Sequence, residues 1–129
     1  MADAEKKKTV FIIDDDSFLL DMYALRFTQA GYHVETAMGA APALEKLHGG
    51  LVPDVALLDV VMPNIDGFEL LEKINQEKLI PTVPKIYLSN LGQDQDLERG
   101  KSLGAVGYII KANSTPSEVV ARVEEIAKL

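Results

Sequence analysis

Five short apolar runs alternate along the chain with five segments of helical periodicity. Such alternation predicts βαβ units and a parallel sheet covered on both faces. The first run, Thr9 to Ile13, is apolar at consecutive positions from Val10 on, as a strand buried between two helical layers requires. From Ser17 to Ala30, the residues Leu19, Leu20, Tyr23, Phe27 and Ala30 provide an inward helical stripe, and Gly31 supplies a left-handed residue to end the helix. His33 to Thr36 alternates polar and apolar, the pattern of a less buried edge strand. Ala40, Ala43, Leu44 and Leu47 mark a second helix, closed by Gly49-Gly50.

The third strand, Val55 to Leu58, is wholly apolar and ends abruptly in Asp59. Asp66 is a good N-cap for a third helix with Phe68, Leu71 and Ile74 facing inward. Pro81 and Pro84 precede the fourth strand, Lys85 to Leu88, where a missing N–H does little harm. A fourth helix is expected from about Asp94 to Leu103, with only Leu97 and Leu103 as its inward stripe, and is expected to be mobile. Gly107 to Ile110 forms the fifth strand. Thr115-Pro116-Ser117-Glu118 is a capping box with proline at the first helical position, opening a helix that buries Val119, Val120, Val123 and Ile126. The division this predicts is a polar lead-in at residues 1–8 and one domain over residues 9–129.

Length and composition agree with that division, since 129 residues can bury a core without staples. The absence of cysteine removes disulfides, thiolate metal sites and cysteine nucleophiles. No apolar run is long enough for a membrane span or a signal peptide, so a cytoplasmic protein is expected. A formal net charge of −7 opposes a phosphate backbone, so direct nucleic-acid binding is not expected. Lys6-Lys7-Lys8, the one basic run, reads as a solvated lead-in. His33 and His48 fall at an edge strand and in a last helical turn, and Met38 and Met62 read as gap-fillers.

In an open parallel sheet, function gathers outside the carboxyl ends of the strands. Those ends carry Asp14-Asp15-Asp16, Asp59, Ser89-Asn90 and Lys111. Singly, each has an ordinary reading as a helix cap, a turn residue or a solvated lysine. Together they point to one site. If the first and third strands are neighbours, their carboxylates repel by roughly 4 kcal/mol per pair at about 4 Å and an effective dielectric near 20. A cation is then expected, and all-oxygen ligands select Mg²⁺ or a similar hard ion, which typically bridges to a phosphoryl group. Asp59 offers a carboxylate nucleophile, Lys111 a point charge for a phosphoryl oxygen, and Ser89 a neutral donor.

Phe11 to Asp16, Leu57 to Gly67, Leu88-Ser89 and Gly107 to Lys111 resemble, in that order, the receiver domains of two-component response regulators. The resemblance covers nearly the whole chain, and the block from Asp59 to Gly67 is its most specific part. It implies a flavodoxin-like (βα)₅ sandwich of the chemotaxis-receiver kind, α/β in class, with strand order 2-1-3-4-5. It implies Asp59 as phosphoacceptor. Mg²⁺ would be bound directly by Asp15, Asp59 and the backbone carbonyl of Val61, and through water by Asp14, leaving Asp16 outside the set. Ser89 and Tyr108 match the switch pair that reports phosphorylation on the face of the fourth helix, fifth strand and fifth helix. The implied partners are a sensor histidine kinase or histidine phosphotransfer protein upstream, and a protein target downstream. Such a domain catalyses only its own phosphorylation and dephosphorylation.

Two departures stand out. Receivers usually have Lys-Pro at the end of the fifth strand, often with a cis peptide, whereas this chain has Lys111-Ala112. A cis bond there would cost about 2.5–4 kcal/mol, so a trans or mobile loop is expected. Asn90 replaces the small residue usual after the switch hydroxyl. At the two positions that tune phosphoryl lifetime in the family stand Val61 and Leu91, neither able to orient water by hydrogen bonding, so slow self-dephosphorylation is expected. The main rival reading is a degenerate receiver-like interaction module that is not phosphorylated. A haloacid-dehalogenase phosphatase would need a second aspartate where Val61 stands, and no G-x-G-x-x-G follows the first strand as a dinucleotide site would require.

Overall fold

A computed structural model describes residues 7–129; residues 1–6, including most of the polar lead-in and Lys6 of the basic run, lie outside the described residues. The elements run β1 (Thr9–Ile13), α1 (Ser17–Gln29), β2 (His33–Ala37), α2 (Ala40–His48), β3 (Val55–Leu58), α3 (Gly67–Gln76), β4 (Lys85–Ser89), α4 (Asp94–Ser102), β5 (Gly107–Ile110) and α5 (Pro116–Ala127). All strands pair in parallel in the order β2-β1-β3-β4-β5, so the chain has the flavodoxin-like topology. Among the described residues no helix is long and apolar enough to cross a membrane.

The period-two geometry of strands divides the core into two layers. Phe11, Ile13, Ala56, Leu58 and Tyr87 point toward α2 and α3. Val10, Ile12, Val55, Leu57, Ile86, Leu88 and Ile109 point toward α1 and α5. This double burial is why β1 and β3 are apolar at successive positions. β2, an edge strand, is only half-buried at Val34, Glu35 and Thr36.

The caps follow the sequence closely. Asp16 accepts from the N–H groups of Phe18 and Leu19, and Asp66 and Thr115 form reciprocal capping boxes with Glu69 and Glu118. Gly31 takes the left-handed conformation after α1.

Three expectations need correction. Ala30 ends α1 as an exposed cap and is not part of its inward stripe. Met38 is exposed rather than filling a gap, while Met62 is buried. Leu97 is 40% exposed, and the residue that seats α4 is the buried Gly100, whose missing Cβ lets the helix approach the Tyr87 ring. Arg99 adds a cation–π contact with its guanidinium 4.7 Å from the Phe68 ring centroid. The low apolar content of α4 is thus offset by backbone proximity to an aromatic cluster of Phe68, Tyr87 and Tyr108.

Candidate functional site at the carboxyl edge of the sheet

The pairing of β1 with β3 aligns Ile13 with Leu58, so Asp14 and Asp59 emerge side by side. The Asp59 N–H donates to the Ile13 carbonyl at 3.0 Å, and the Asp14 N–H to the Ala37 carbonyl at 3.1 Å, which fixes both backbones. Asp14, Asp59 and Ser89 are buried, whereas Asp15 is exposed. Carboxylate oxygens of Asp14, Asp15 and Asp59 lie within 4.8 Å of one another. Asp16 caps α1 and is not among them.

β5 delivers Lys111 to the same place from the other side. Its Nζ lies 2.7 Å from Asp14 Oδ2 and 3.4 Å from Asp59 Oδ2. Asp59 Oδ1 accepts from the Val60 N–H at 2.8 Å, and Asp14 Oδ1 from the Asp16 N–H at 2.9 Å. Burial raises the pKa of Asp59, Lys111 opposes that rise with its charge, and Asp14 adds to it. Burial works to lower the pKa of Lys111, but the hydrogen bond to Asp14 and the charges of Asp59 and Asp14 leave it raised. Lys111 is therefore the ammonium that balances two buried carboxylates.

Asp14, Asp15, Asp16, Leu19, Asp59, Val61, Ser89, Asn90 and Lys111 line a cleft of about 400 Å³. Val61 and Leu91, the expected lifetime positions, are both exposed, and Val61 borders the cleft. The Leu91 N–H donates to Ser89 Oγ at 3.3 Å, and the Tyr108 hydroxyl donates to the Leu91 carbonyl. Ser89, Leu91 and Tyr108 thus form one hydrogen-bonded loop beside the cleft, with Tyr108 half-buried. A larger hollow of about 480 Å³ lies elsewhere, between α4 and β5, lined by Leu97, Gly100, Lys101, Ala105, Val106, Gly107 and Tyr108.

The donor chemistry of the cleft suits a hard divalent cation. Three carboxylates converge with no histidine or cysteine among them, one of them exposed for entry and two buried for rigidity.

A family model for the response regulator receiver domain matches residues 10–124. The chain belongs to this family. It is 35% identical over 126 residues to a probable transcriptional regulator, ycf27, of Guillardia theta, covering 98% of this chain and 48% of that protein. It is 32% identical over 124 residues to the phosphate regulon transcriptional regulatory protein PhoB of Pseudomonas aeruginosa, covering 94% of this chain and 52% of that one. The receiver therefore spans about half the length of the curated relatives it matches. Among solved structures, the Vibrio cholerae chemotaxis protein CheY4 superposes with a TM-score of 0.86 at 26% identity, covering 94% of this chain and 99% of that one. A putative response regulator from Chloroflexus aurantiacus superposes with a TM-score of 0.84 at 34% identity, covering 96% and 100%. Receivers as a family are phosphorylated on aspartate in two-component signalling.

Three contacts of this receiver site escaped sequence reasoning. A Cβ built on Gly67 would stand 2.1 Å from the Asp59 carbonyl oxygen, so this glycine lets α3 start directly against the end of β3. Its traces in the sequence were its place after the Asp66 cap and at the end of the Asp59–Gly67 block. Tyr87 donates its hydroxyl to the Gly67 carbonyl, and Asn90 Oδ1 accepts from the Ala112 N–H at 2.9 Å. The loop after β5 is trans, and its first residues form a single 3₁₀ turn, Lys111–Asn113.

Proposed function

We propose that this chain is a working phospho-aspartate switch in which Asp59 accepts a phosphoryl group from a phosphohistidine of a sensor kinase or phosphotransfer protein. The observation that carries the assignment is the convergence of Asp59, Asp14, Asp15 and Lys111 from three strand ends on one cleft. A degenerate module would have no need to keep two buried carboxylates and a lysine together. Their mutual burial is costly unless it serves chemistry.

In the transfer, an Asp59 carboxylate oxygen attacks phosphorus, and a P–O bond forms as the P–N bond to the donor imidazole breaks. The electron pair leaves with the imidazole nitrogen, which takes a proton from solvent. Asp15, Asp59 and the Val61 carbonyl would hold Mg²⁺, with Asp14 acting through water. When bound, the ion would offset the charge of the incoming phosphoryl group. Lys111, already between Asp14 and Asp59, would transfer its ammonium contact to a phosphoryl oxygen, and Ser89 would add a hydroxyl donor.

Ser89 and Tyr108 share the loop through Leu91, which suits them to carry the change to the α4/β5/α5 face, where a protein target would bind. The chain would turn over no substrate beyond its own phosphoryl group. A cytoplasmic location and the absence of direct nucleic-acid contact by this domain follow from the same reading and from the net charge of −7.

The test is intact mass after incubation with acetyl phosphate, with and without Mg²⁺, for the wild type and Asp59→Ala. A gain of one phosphoryl group that needs both Mg²⁺ and Asp59 is expected. No gain in the wild type would favour the degenerate module.

A further inference from the structure

We propose that Asn90 is a positioning residue for Lys111, acting through the backbone of Ala112; this rests on the phosphoryl-binding role given to Lys111 above. The register of the last strand pair sets Ser89 opposite Ile110, so the next residues along, Asn90 and Lys111, leave the sheet together. Asn90 Oδ1 then reaches one residue further and accepts the Ala112 N–H at 2.9 Å. Two loops, one following the Ser89 hydroxyl and one following the Lys111 ammonium, are thereby tied side by side.

Beyond the ion pairs of the Lys111 ammonium with Asp14 and Asp59, the backbone of the Lys111–Asn113 turn has little to hold it. Its N-terminal cap, Ile110, gives no side-chain hydrogen bond, and its closing backbone bond, from the Ser114 N–H to the Lys111 carbonyl, is long at 3.4 Å. Among the described residues, the Asn90 amide makes the one side-chain hydrogen bond to the backbone of this turn. Lysine carries a flexible four-carbon stem, so the aim of its ammonium depends on where its Cα is fixed. Asn90 fixes it. Ala112 is integral to the device, because only a residue with a backbone N–H can be held this way. With one lone pair of Oδ1 so engaged, the amide of Asn90 keeps its Nδ2 donor and a second acceptor position for the cleft that it lines.

The decisive variant is Asn90→Leu, which keeps the bulk beside the cleft and removes the acceptor. The rate of Asp59 phosphorylation by acetyl phosphate is expected to fall about three- to tenfold, the scale of one net hydrogen bond. In a Lys111→Met background the same substitution is expected to change nothing, because the bridge acts only through the lysine. An effect of undiminished size in that background, or a wild-type rate in Asn90→Leu itself, would overturn the proposal. Nuclear magnetic resonance gives a readout independent of phosphorylation. Faster hydrogen exchange at the Ala112 amide and a shifted, broadened Lys111 Nζ resonance are expected in Asn90→Leu, and Asn90→Asp, which keeps an acceptor, is expected to restore Ala112 protection. Unchanged Ala112 and Lys111 signals in Asn90→Leu would overturn it as well. If the wild type takes up no phosphoryl group, the functional reading fails, and the resonance experiment still decides whether Asn90 holds Lys111.

Discussion

The Tyr87 hydroxyl donates to the Gly67 carbonyl across 3.1 Å, joining the middle of β4 to the first residue of α3 inside the core. Gly67 in turn donates its N–H to the Val60 carbonyl at 2.8 Å, so Tyr87 braces the helix that lies against the strand ending at Asp59. The same ring would stand 3.0 Å from a Cβ on Gly100 of α4, and its centroid lies 5.5 Å from that of Tyr108. Its hydroxyl and its ring thus serve different neighbours. Tyr87→Phe is expected to cost about 0.5–1.5 kcal/mol, the net worth of the hydrogen bond, and to leave α4 in place. Tyr87→Ala is expected to cost about 3–5 kcal/mol and to speed amide exchange in α4. Urea unfolding with exchange mapping separates the two, and equal losses from both variants would refute the division.

Gly67→Ala tests the neighbouring contact. The added Cβ would meet the Asp59 carbonyl oxygen at 2.1 Å and the Val60 Cα at 2.9 Å, both backbone atoms that cannot rotate aside. A loss of about 1–3 kcal/mol is expected, as for overpacking in a core, together with slower phosphorylation because the strain falls on Asp59 itself. A variant with wild-type urea midpoint and wild-type phosphorylation rate would show that α3 can shift without disturbing β3.

The alternation of apolar runs and helical stripes made the strands and the helices other than α4 readable, because side-chain polarity reports how far each element is buried. The stripe expected of α4 is not the face that seats it. The acid cleft was readable for a topological reason: parallel strands carry their last residues to one edge, so Asp14, Asp59, Ser89 and Lys111 meet however far apart they lie in sequence. What stayed hidden depends on backbone approach. Gly100 and Gly67 carry no hydropathy signal, yet one seats α4 and the other admits α3. Lys85 is likewise opaque, since a lysine at a strand start reads as solvated. Here it is buried with Nζ 2.6 Å from the Ile80 carbonyl, and burial lowers its pKa. The Asn90–Ala112 bond depends on two loops meeting, which no local pattern encodes.

Alkaline pH should expose the contribution of Tyr32. Burial first, and then its hydrogen bond to Glu124 at 2.6 Å, push its pKa up to about 12 from an ordinary value of 10.0. Above pH 10 the unfolded chain releases this proton before the folded chain does. The folded state then binds more protons, and stability falls as pH rises. The contribution is fully present below about pH 10 and is lost as pH rises through about 12. Tyr32→Phe is expected to lower the urea midpoint at pH 7 and to flatten its decline between pH 10 and pH 12. A decline as steep as that of the wild type would assign the alkaline loss to other groups.

The apolar rim of the cleft leads to a prediction about timing. Hydrolysis of an aspartyl phosphate needs a water placed in line with phosphorus, and a side chain that hydrogen-bonds that water raises the rate. Val61 and Leu91 can make no such bond, although both are exposed beside the site. Leu91 is held by its backbone, through Ser89 Oγ and the Tyr108 hydroxyl, so its side chain can be changed without disturbing the loop. Phosphorylated wild-type protein is expected to lose its phosphoryl group slowly. Val61→Asn or Leu91→Glu is expected to shorten the half-life by about tenfold or more, up to the roughly 10²-fold at which a full general acid–base contribution begins. Intact mass followed over time after removal of acetyl phosphate measures both. If neither substitution shortens the half-life, the rate is set by the closure of Ser89 and Lys111 over the phosphoryl group, and the apolar rim is incidental to it.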